Sequence, residues 1–159
     1  MRKVPMKLEH LMPLIREELS QGKPVWFTPH GISMRPMLED GRDRVMLVPP
    51  PQVLKKYDLA LYQRENGQYV LHRVVKVGQT YTFVGDNQFV YEPDIRPDQV
   101  IAVVSEFVRK GRHYDVRHGG YRLYCRVWIG TLSARHFAHK VRRKLQIMLK
   151  ISKKEKEDI

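Results

Sequence analysis

Short apolar runs separated by turn residues fill the middle of the chain, and they restrict its fold more than any other feature. The runs are rich in β-branched and aromatic residues and lie at Val25–Thr28, Arg44–Val48, Leu59–Gln63, Gln68–Val77, Tyr81–Val84 and Val100–Val108. Glu65-Asn66-Gly67 is a strong hairpin turn signal between two of them. Short strands with little helix between them predict a mainly β (α+β) fold with a barrel-like core.

An amphipathic helix is predicted before the first strand, over residues 7–21, where apolar residues recur at helical spacing. Gly22 supplies a stop signal. Pro13 suits the first position of a helix, so the regular helix is predicted to begin near Met12. The chain is therefore divided into an N-terminal helix (1–22), a β-domain (23–118) and a basic amphipathic helical extension (119–159).

The helical extension carries a single apolar stripe. Its members fall at helical spacing and are Ala134, Phe137, Ala138, Val141, Leu145, Met148 and Leu149. Lys, Arg and His side chains occupy the remaining faces. Ser133 is a candidate N-cap for this helix.

Positive charge is concentrated in the same part of the chain. Of the formal net charge of +12, residues 1–108 contribute little, with 14 Lys/Arg against 13 Asp/Glu, whereas residues 109–159 hold 15 against 4. A basic amphipathic helix is typical of peripheral contact with an anionic membrane, although packing of the stripe on the β-domain is the commoner outcome. Nucleic acid is disfavoured as a partner because few aromatic residues are placed for base stacking.

Cysteine content and hydropathy bear on the compartment. One cysteine, Cys125, excludes an intrachain disulfide and favours a reducing environment. No run is long and apolar enough for a membrane span, and charged residues rather than an apolar segment follow Met1. The sequence predicts a cytoplasmic protein without a transmembrane segment or signal peptide, in peripheral contact with the inner membrane surface through its extension.

Three polar residues, Ser33, His72 and Asp86, stand in that order in short distinctive contexts. A serine hydroxyl is a poor nucleophile until a base takes its proton, and histidine is the usual base. A carboxylate can hold that histidine in the correct tautomer. The three residues together predict a centre for nucleophilic catalysis.

The contexts are Ser33-Met34-Arg35-Pro36, His72-Arg73-Val74 and Gly85-Asp86-Asn87, with turn and strand-start residues at Asp40–Asp43 and Tyr57–Leu61 between them. Over residues 23–109 the chain resembles the signal peptidase and LexA-like serine peptidase superfamily. The histidine context makes it most similar to the Ser-His branch, which is the endoplasmic-reticulum and archaeal type. The resemblance implies a mostly β fold and a serine endopeptidase, although members of that branch are membrane-anchored.

Roles for the three residues follow from the resemblance: Ser33 as nucleophile, His72 as general base and Asp86 as the carboxylate that orients the histidine. Asp94 is an alternative to Asp86, because relatives often carry another acidic residue shortly after Gly-Asp-Asn. Lys76 is a rival base, because simple alternation places it on the same strand face as His72.

Further positions complete the predicted site. The backbone N–H of Ser33 is the natural first donor to an oxyanion. Many relatives place a hydroxyl two residues before the nucleophile, where this chain has Gly31. Asp43 is predicted to support the turn that follows the nucleophile. No cofactor is implied, and the histidines show no spacing that suits a metal site.

Two other function classes remain open. A non-catalytic relative could bind membrane or nucleic acid through the basic C-terminal helix, although retention of all three polar residues argues against it. The peptidase half of a self-cleaving repressor is disfavoured, because the residues before the first strand are too few for a helix-turn-helix domain.

Overall fold

The computed structural model describes residues 8–157, and side-chain environments for residues 8–148. Helix α1 (Leu8–Ser20) precedes the sheet, and helices α2 (Gly119–Gly130) and α3 (Leu132–Glu157) follow it. The strands are β1 (Val25–Phe27), β2 (Arg44–Val48), β3 (Leu59–Gln63), β4 (Tyr69–Val77), β5 (Tyr81–Val84), β6 (Glu92–Ile95), β7 (Val100–Arg109) and β8 (Arg112–Asp115). A 3-10 turn at Pro97–Gln99 joins β6 to β7.

All eight strands belong to one sheet in the order β1-β2-β7-β3-β4-β5-β6, with β8 added alongside β7, and every described pairing is antiparallel. β7 is the longest strand, and it pairs with β3 over residues 100–103, with β2 over residues 103–108 and with β8 over residues 106–109. The fold is therefore α+β with a mainly antiparallel sheet, in agreement with the predicted class.

Two apolar cores cover the two faces of the central strands. Alternate residues of β3 divide between them: Leu59 and Leu61 join the core that contains α1, whereas Ala60 and Tyr62 join a smaller core with Phe83. Burial on both faces explains why β3 reads as a continuous apolar run. The neighbouring strand β4 is likewise covered on both faces of the sheet in its middle part.

The six strands predicted from apolar runs are all present, with shifts of one residue at some ends. β6 and β8 were not predicted, because their residues are largely polar or charged and resemble loop sequence. Both are recruited by pairing with an apolar neighbour, β5 and β7 respectively. Tertiary pairing has overridden local propensity there.

The prediction that the first helix begins near Met12 is wrong, because α1 extends back to Leu8 and Pro13 lies within it. Proline has no N–H to donate to the carbonyl of Glu9. Both residues are exposed, so water can reach the carbonyl that loses its partner. The buried side of α1 consists of Met12, Ile15 and Leu19.

The extension forms two helices rather than one. Ser133 does not cap α3, because the helix already begins at Leu132 and the carbonyl of Thr131 accepts the N–H of Arg135 at 2.9 Å. α2 packs on the sheet through Tyr121, Tyr124 and the buried Cys125. Neither these helices nor α1 has, over the described residues, the length and apolar content that crossing a bilayer requires.

Candidate functional site

Ser33 and His72 line the same cleft, whose volume is about 230 Å³. Ser33 is half-buried in the turn between β1 and β2, and His72 lies on β4 with only 2% of its surface exposed. Other lining residues include Met34, Leu38 and Gln88. The fold thus brings together two of the three residues that the sequence predicted for catalysis.

The turn that carries Ser33 is fixed by its own hydrogen bonds. Gly31 has a φ of 110°, a conformation that side chains disfavour, and its N–H donates to Asp40 Oδ1 at 2.9 Å. The Leu38 N–H donates to the Met34 carbonyl at 2.9 Å. These bonds set the direction of the backbone on both sides of Ser33.

Asp43 supports the end of this turn, as predicted. Its buried carboxylate accepts the N–H of Glu39 at 2.9 Å and that of Lys110 at 3.2 Å, and Arg42 Nε lies at 2.7 Å. Although burial opposes ionisation, the hydrogen bonds from Arg42 and these two backbone groups lower the pKa of Asp43 to about 2. The ionised carboxylate ties the turn to the β7–β8 hairpin.

The loop after β5 packs directly against the serine turn. Asn87 donates its backbone N–H to the Ser33 carbonyl at 2.8 Å and its side-chain amide to the Ile32 carbonyl at 3.2 Å. At Gly85, a Cβ atom would lie 2.8 Å from the Ser33 carbonyl oxygen and 3.0 Å from His72 Nε2. Only glycine permits this packing, in which Gly85 lies against both the Ser33 carbonyl and His72 Nε2.

A carboxylate contacts the other ring nitrogen of His72, and it belongs to Glu92. Glu92 Oε1 lies 3.1 Å from His72 Nδ1. Tyr62 donates its hydroxyl to Glu92 Oε2 at 2.9 Å, and Arg64 Nε donates to the same oxygen at 2.7 Å. Although partial burial opposes it, the hydrogen bonds from His72, Arg64 and Tyr62 hold the pKa of Glu92 well below its usual range.

An ionised Glu92 has a direct effect on the tautomer of His72. The carboxylate accepts hydrogen bonds and cannot donate one, so it favours a proton on Nδ1. Nε2 is then free to accept a proton from the side of the cleft. Tyr62 also contacts this carboxylate. Burial and, after it, the charge of Glu92 raise the pKa of the Tyr62 phenol, so its hydroxyl stays protonated and donates a hydrogen bond.

Asp86 does not contact His72, and the predicted orienting role is corrected on geometric grounds. Arg73 donates Nε to Asp86 Oδ1 and Nη2 to Asp86 Oδ2, both at 2.7 Å, and neither side chain is exposed. His72 and Arg73 are neighbours on β4, so they point to opposite faces of the sheet. Asp86, which binds Arg73 on one face, is therefore out of reach of His72 on the other.

Neither of the rival residues reaches the cleft. Asp94 lies on β6 with its side chain exposed, two residues beyond the glutamate that does contact His72. Lys76 is exposed and lies beyond an irregularity in β4, between Val74 and Lys76, that breaks simple alternation. It is absent from the cleft lining.

A second polar cluster lies beneath α2 and is centred on Arg73. Arg73 Nη1 donates to the Tyr57 carbonyl at 3.1 Å, to the Tyr121 hydroxyl at 2.9 Å and to Cys125 Sγ at 3.0 Å. Although burial opposes it, the charge of Asp86 keeps the pKa of Arg73 above its usual value, and burial raises the pKa of the Cys125 thiol.

Side chains of both C-terminal helices also bind the loop after β5. Trp128 donates its indole N–H to the Asp86 carbonyl at 2.9 Å, and Arg135 Nη1 donates to the same oxygen at 3.4 Å. α2 and the start of α3 therefore hold the loop whose other side packs on Ser33.

Donors for an oxyanion are present in the serine turn. Within residues 8–157, the backbone N–H groups of Ser33 and Met34 have no hydrogen-bond acceptor. The N–H of Gly31 is unsuitable, because it already donates to Asp40. Two neighbouring N–H groups beside Ser33, the predicted nucleophile, are the kind of donors that an oxyanion site uses.

Glu92 is the residue of the candidate site that the sequence did not reveal. The resemblance implies an acidic residue shortly after Gly-Asp-Asn, and this was predicted to be Asp94, although Glu92 lies in the same short segment. The choice depends on β6, whose register with β5 is irregular and pairs Phe83 with Glu92 but Tyr81 with Ile95. An acidic residue followed by Pro93 was the available signal, because proline often marks an edge strand.

Comparison of the chain with family models, with curated proteins and with solved structures gave no match.

Proposed function

We propose that the protein is a serine endopeptidase of the signal peptidase type, with Ser33 as nucleophile, His72 as general base and Glu92 as the carboxylate that orients the base. The mainly antiparallel sheet suits the LexA-like fold that this proposal entails. The observation that carries it is the shared cleft of Ser33 and His72, with an ionised carboxylate 3.1 Å from the far nitrogen of the histidine.

The proposed reaction begins with transfer of the Ser33 hydroxyl proton to His72 Nε2 as Oγ attacks the peptide carbonyl. The carbonyl oxygen becomes an oxyanion, which the N–H groups of Ser33 and Met34 stabilise. The proton then passes from His72 to the departing amine as the peptide C–N bond breaks. In the second half of the reaction Nε2 takes a proton from water as the water oxygen attacks the acyl carbon. The ester bond to Ser33 Oγ then breaks, and His72 returns the proton to Oγ.

Glu92 contributes through the imidazolium that forms when His72 accepts the proton. A carboxylate hydrogen-bonded to Nδ1–H stabilises that cation and prevents the ring from turning. Tyr62 and Arg64 hold the carboxylate in place from two sides. The site thus has a base whose orientation is fixed before substrate binds.

The direct test is covalent labelling with a fluorophosphonate probe, which reacts with activated serines. We expect wild type to be labelled, Ser33→Ala to be unlabelled and His72→Ala to be labelled far more slowly. Ser20→Ala is the matched control, since that serine lies on the exposed side of α1. Labelling that persists in Ser33→Ala would overturn the assignment, and no labelling of wild type would favour a non-catalytic relative.

A further inference from the structure

Over residues 132–148, whose side chains the structure describes, helix α3 docks on the rest of the molecule through one face. Leu132 is buried, and Arg135 places its guanidinium 3.7 Å from the centre of the Trp128 ring. His136 stacks on Phe89 with ring centres 4.8 Å apart. These residues recur at a spacing of three or four positions, so they define a single stripe along the helix.

The apolar stripe of α3 lies on the opposite side. At about 100° per residue, Phe137, Val141, Leu145 and Met148 are centred roughly 180° from the docked face. Their exposed fractions are 71%, 43%, 54% and 55%. The predicted packing of this stripe on the β-domain is therefore not what the structure shows; the stripe is open to solvent along about three turns of helix.

Charge around the stripe has one sign. Between Leu132 and Met148 the helix has five Lys/Arg residues and no Asp or Glu. Lys140 and Lys144 lie along one border of the stripe, and Arg142 lies along the other. All three side chains are exposed.

We infer that this face of α3 is a docking surface for an anionic lipid bilayer. An open apolar stripe bordered on both sides by cations is the arrangement of a helix that lies in the membrane interface, with its apolar side chains among the acyl chains and its cations at the head groups. The bilayer satisfies both features together, since it offers apolar depth and negative charge at the same place.

Other possible partners would match either the apolar stripe or the cations along its borders, but not both. A second copy of the chain would cover the apolar stripe, but it would bring two sets of cations together at its borders. A nucleic acid would satisfy the cations, but it would leave Phe137 and Leu145 uncovered or placed against phosphates. Charge complementarity thus selects the anionic membrane.

The first experiment is flotation of the full-length protein with vesicles of phosphatidylcholine, alone or with one third phosphatidylglycerol. We expect flotation with the anionic vesicles at low salt, partial release at high salt and no flotation with the neutral ones. Lys140→Ala and Lys144→Ala should each weaken binding about fivefold, since a cation near such a surface contributes about 1 kcal/mol. Phe137→Asp should abolish it.

Matched controls exclude a general effect of charge or surface polarity. Arg16→Ala removes an exposed cation from α1, and Val53→Asp places a charge at an apolar side chain that is 60% exposed outside α3. Both variants should bind anionic vesicles as wild type does. Equal loss in the controls, or flotation that Phe137→Asp leaves intact, would overturn the proposal.

The second experiment asks whether the stripe itself enters the bilayer. An environment-sensitive fluorophore attached to Leu145→Cys should shift to the blue on anionic vesicles, whereas the same group on Gln146→Cys, about 100° around the helix, should shift much less. Equal shifts at both positions would contradict the proposal that α3 lies in the membrane interface with its apolar stripe in the bilayer. A dimer in solution that Phe137→Asp dissociates, without vesicle binding, would identify a second copy as the occupant instead.

Discussion

His72 and Arg73 are neighbours on β4, and each meets a carboxylate, but on opposite faces of the sheet and in different surroundings. The pair of His72 with Glu92 borders a cleft, and 19% of the Glu92 side chain is exposed. The pair of Arg73 with Asp86 is sealed beneath α2 with no exposed surface on either side chain. One strand therefore carries two residues that are each paired with a carboxylate, and the two pairs differ in their access to solvent.

This difference separates a group that can exchange a proton from one that can only hold structure. His72 lines the cleft that Ser33 also lines, while Glu92 contacts its Nδ1. Arg73 has no accessible acceptor and does not deprotonate at ordinary pH, and both oxygens of Asp86 are occupied. Changes on the cleft face should lower activity with little effect on folding, and changes beneath α2 should do the reverse.

The largest effect is expected from removing the proposed nucleophile and its base. Ser33→Ala, His72→Ala and the double variant should each lower peptidase kcat by about 10⁴- to 10⁶-fold, because residues that act as one unit lose their contribution together. Kinetics on a cleaved peptide and thermal melting of each variant provide the measurement. Lys76→Ala is the matched control on the same strand and should retain wild-type turnover; loss of activity there and not in His72→Ala would point to a lysine base.

Glu92→Gln should have the next largest effect, a fall in kcat of about 10²- to 10⁴-fold, because the amide can present its NH₂ to Nδ1 and stabilise the wrong tautomer. Asp94→Asn, on the same strand but exposed, should be close to wild type. Thermal melting distinguishes a positioning role from a structural one, since Glu92→Gln should lower kcat while leaving the melting temperature close to that of wild type. Full activity of Glu92→Gln combined with an inactive Asp94→Asn would reverse the two assignments.

On the sealed face, Arg73→Ala or Asp86→Ala should lower the free energy of unfolding by about 3–5 kcal/mol, because each leaves a buried charge without its partner. Urea denaturation provides the measurement. Arg73→Met combined with Asp86→Leu should recover much of the loss, since the pair is then replaced by apolar groups of similar size. If Asp86→Ala left stability unchanged and lowered only kcat, Asp86 would belong to the catalytic face after all.

The smallest effect is expected at Asp43, and it depends on pH. Its pKa falls from an ordinary value of 3.8 to about 2 in the folded protein, so the unfolded chain binds more protons between these values. The stabilisation, about 2 kcal/mol, is therefore complete above pH ~4 and is lost as the pH falls toward ~2. Denaturation of wild type and Asp43→Asn should differ most near neutral pH and converge in acid; a constant difference would contradict this.

Much of the fold was predictable because the main strands are apolar and end at turn residues. β3 and β5 were predicted with their observed bounds, and the hairpin at Glu65-Asn66-Gly67 joins β3 to β4 as expected. The elements that were not predicted are stabilised by contacts with other parts of the chain. β6 and β8 have few apolar residues of their own, and the division of the predicted helical extension into α2 and α3 was not foreseen.

The candidate site was predicted in part for a related reason. Ser33 and His72 stand in distinctive local contexts, and the fold places them in one cleft. The orienting carboxylate is a long-range relation, since it depends on how β6 registers on β5 and on which face each residue of β4 occupies. Asp86 was an attractive choice by sequence context, but Arg73, one residue from the histidine, binds it on the other side of the sheet.

Because Cys125 lies buried on α2, the reactivity of its thiol reports whether α2 is docked on the sheet. Cys125 is the one cysteine of the sequence, it is fully covered in the protein, and its sulfur lies 3.0 Å from Arg73. A thiol reagent can reach it only when α2 lifts from the sheet, so the labelling rate at low denaturant reports the free energy of that opening. Labelling at the rate of global unfolding would mean that α2 and the sheet form one cooperative unit, whereas faster labelling would reveal a helix that detaches by itself.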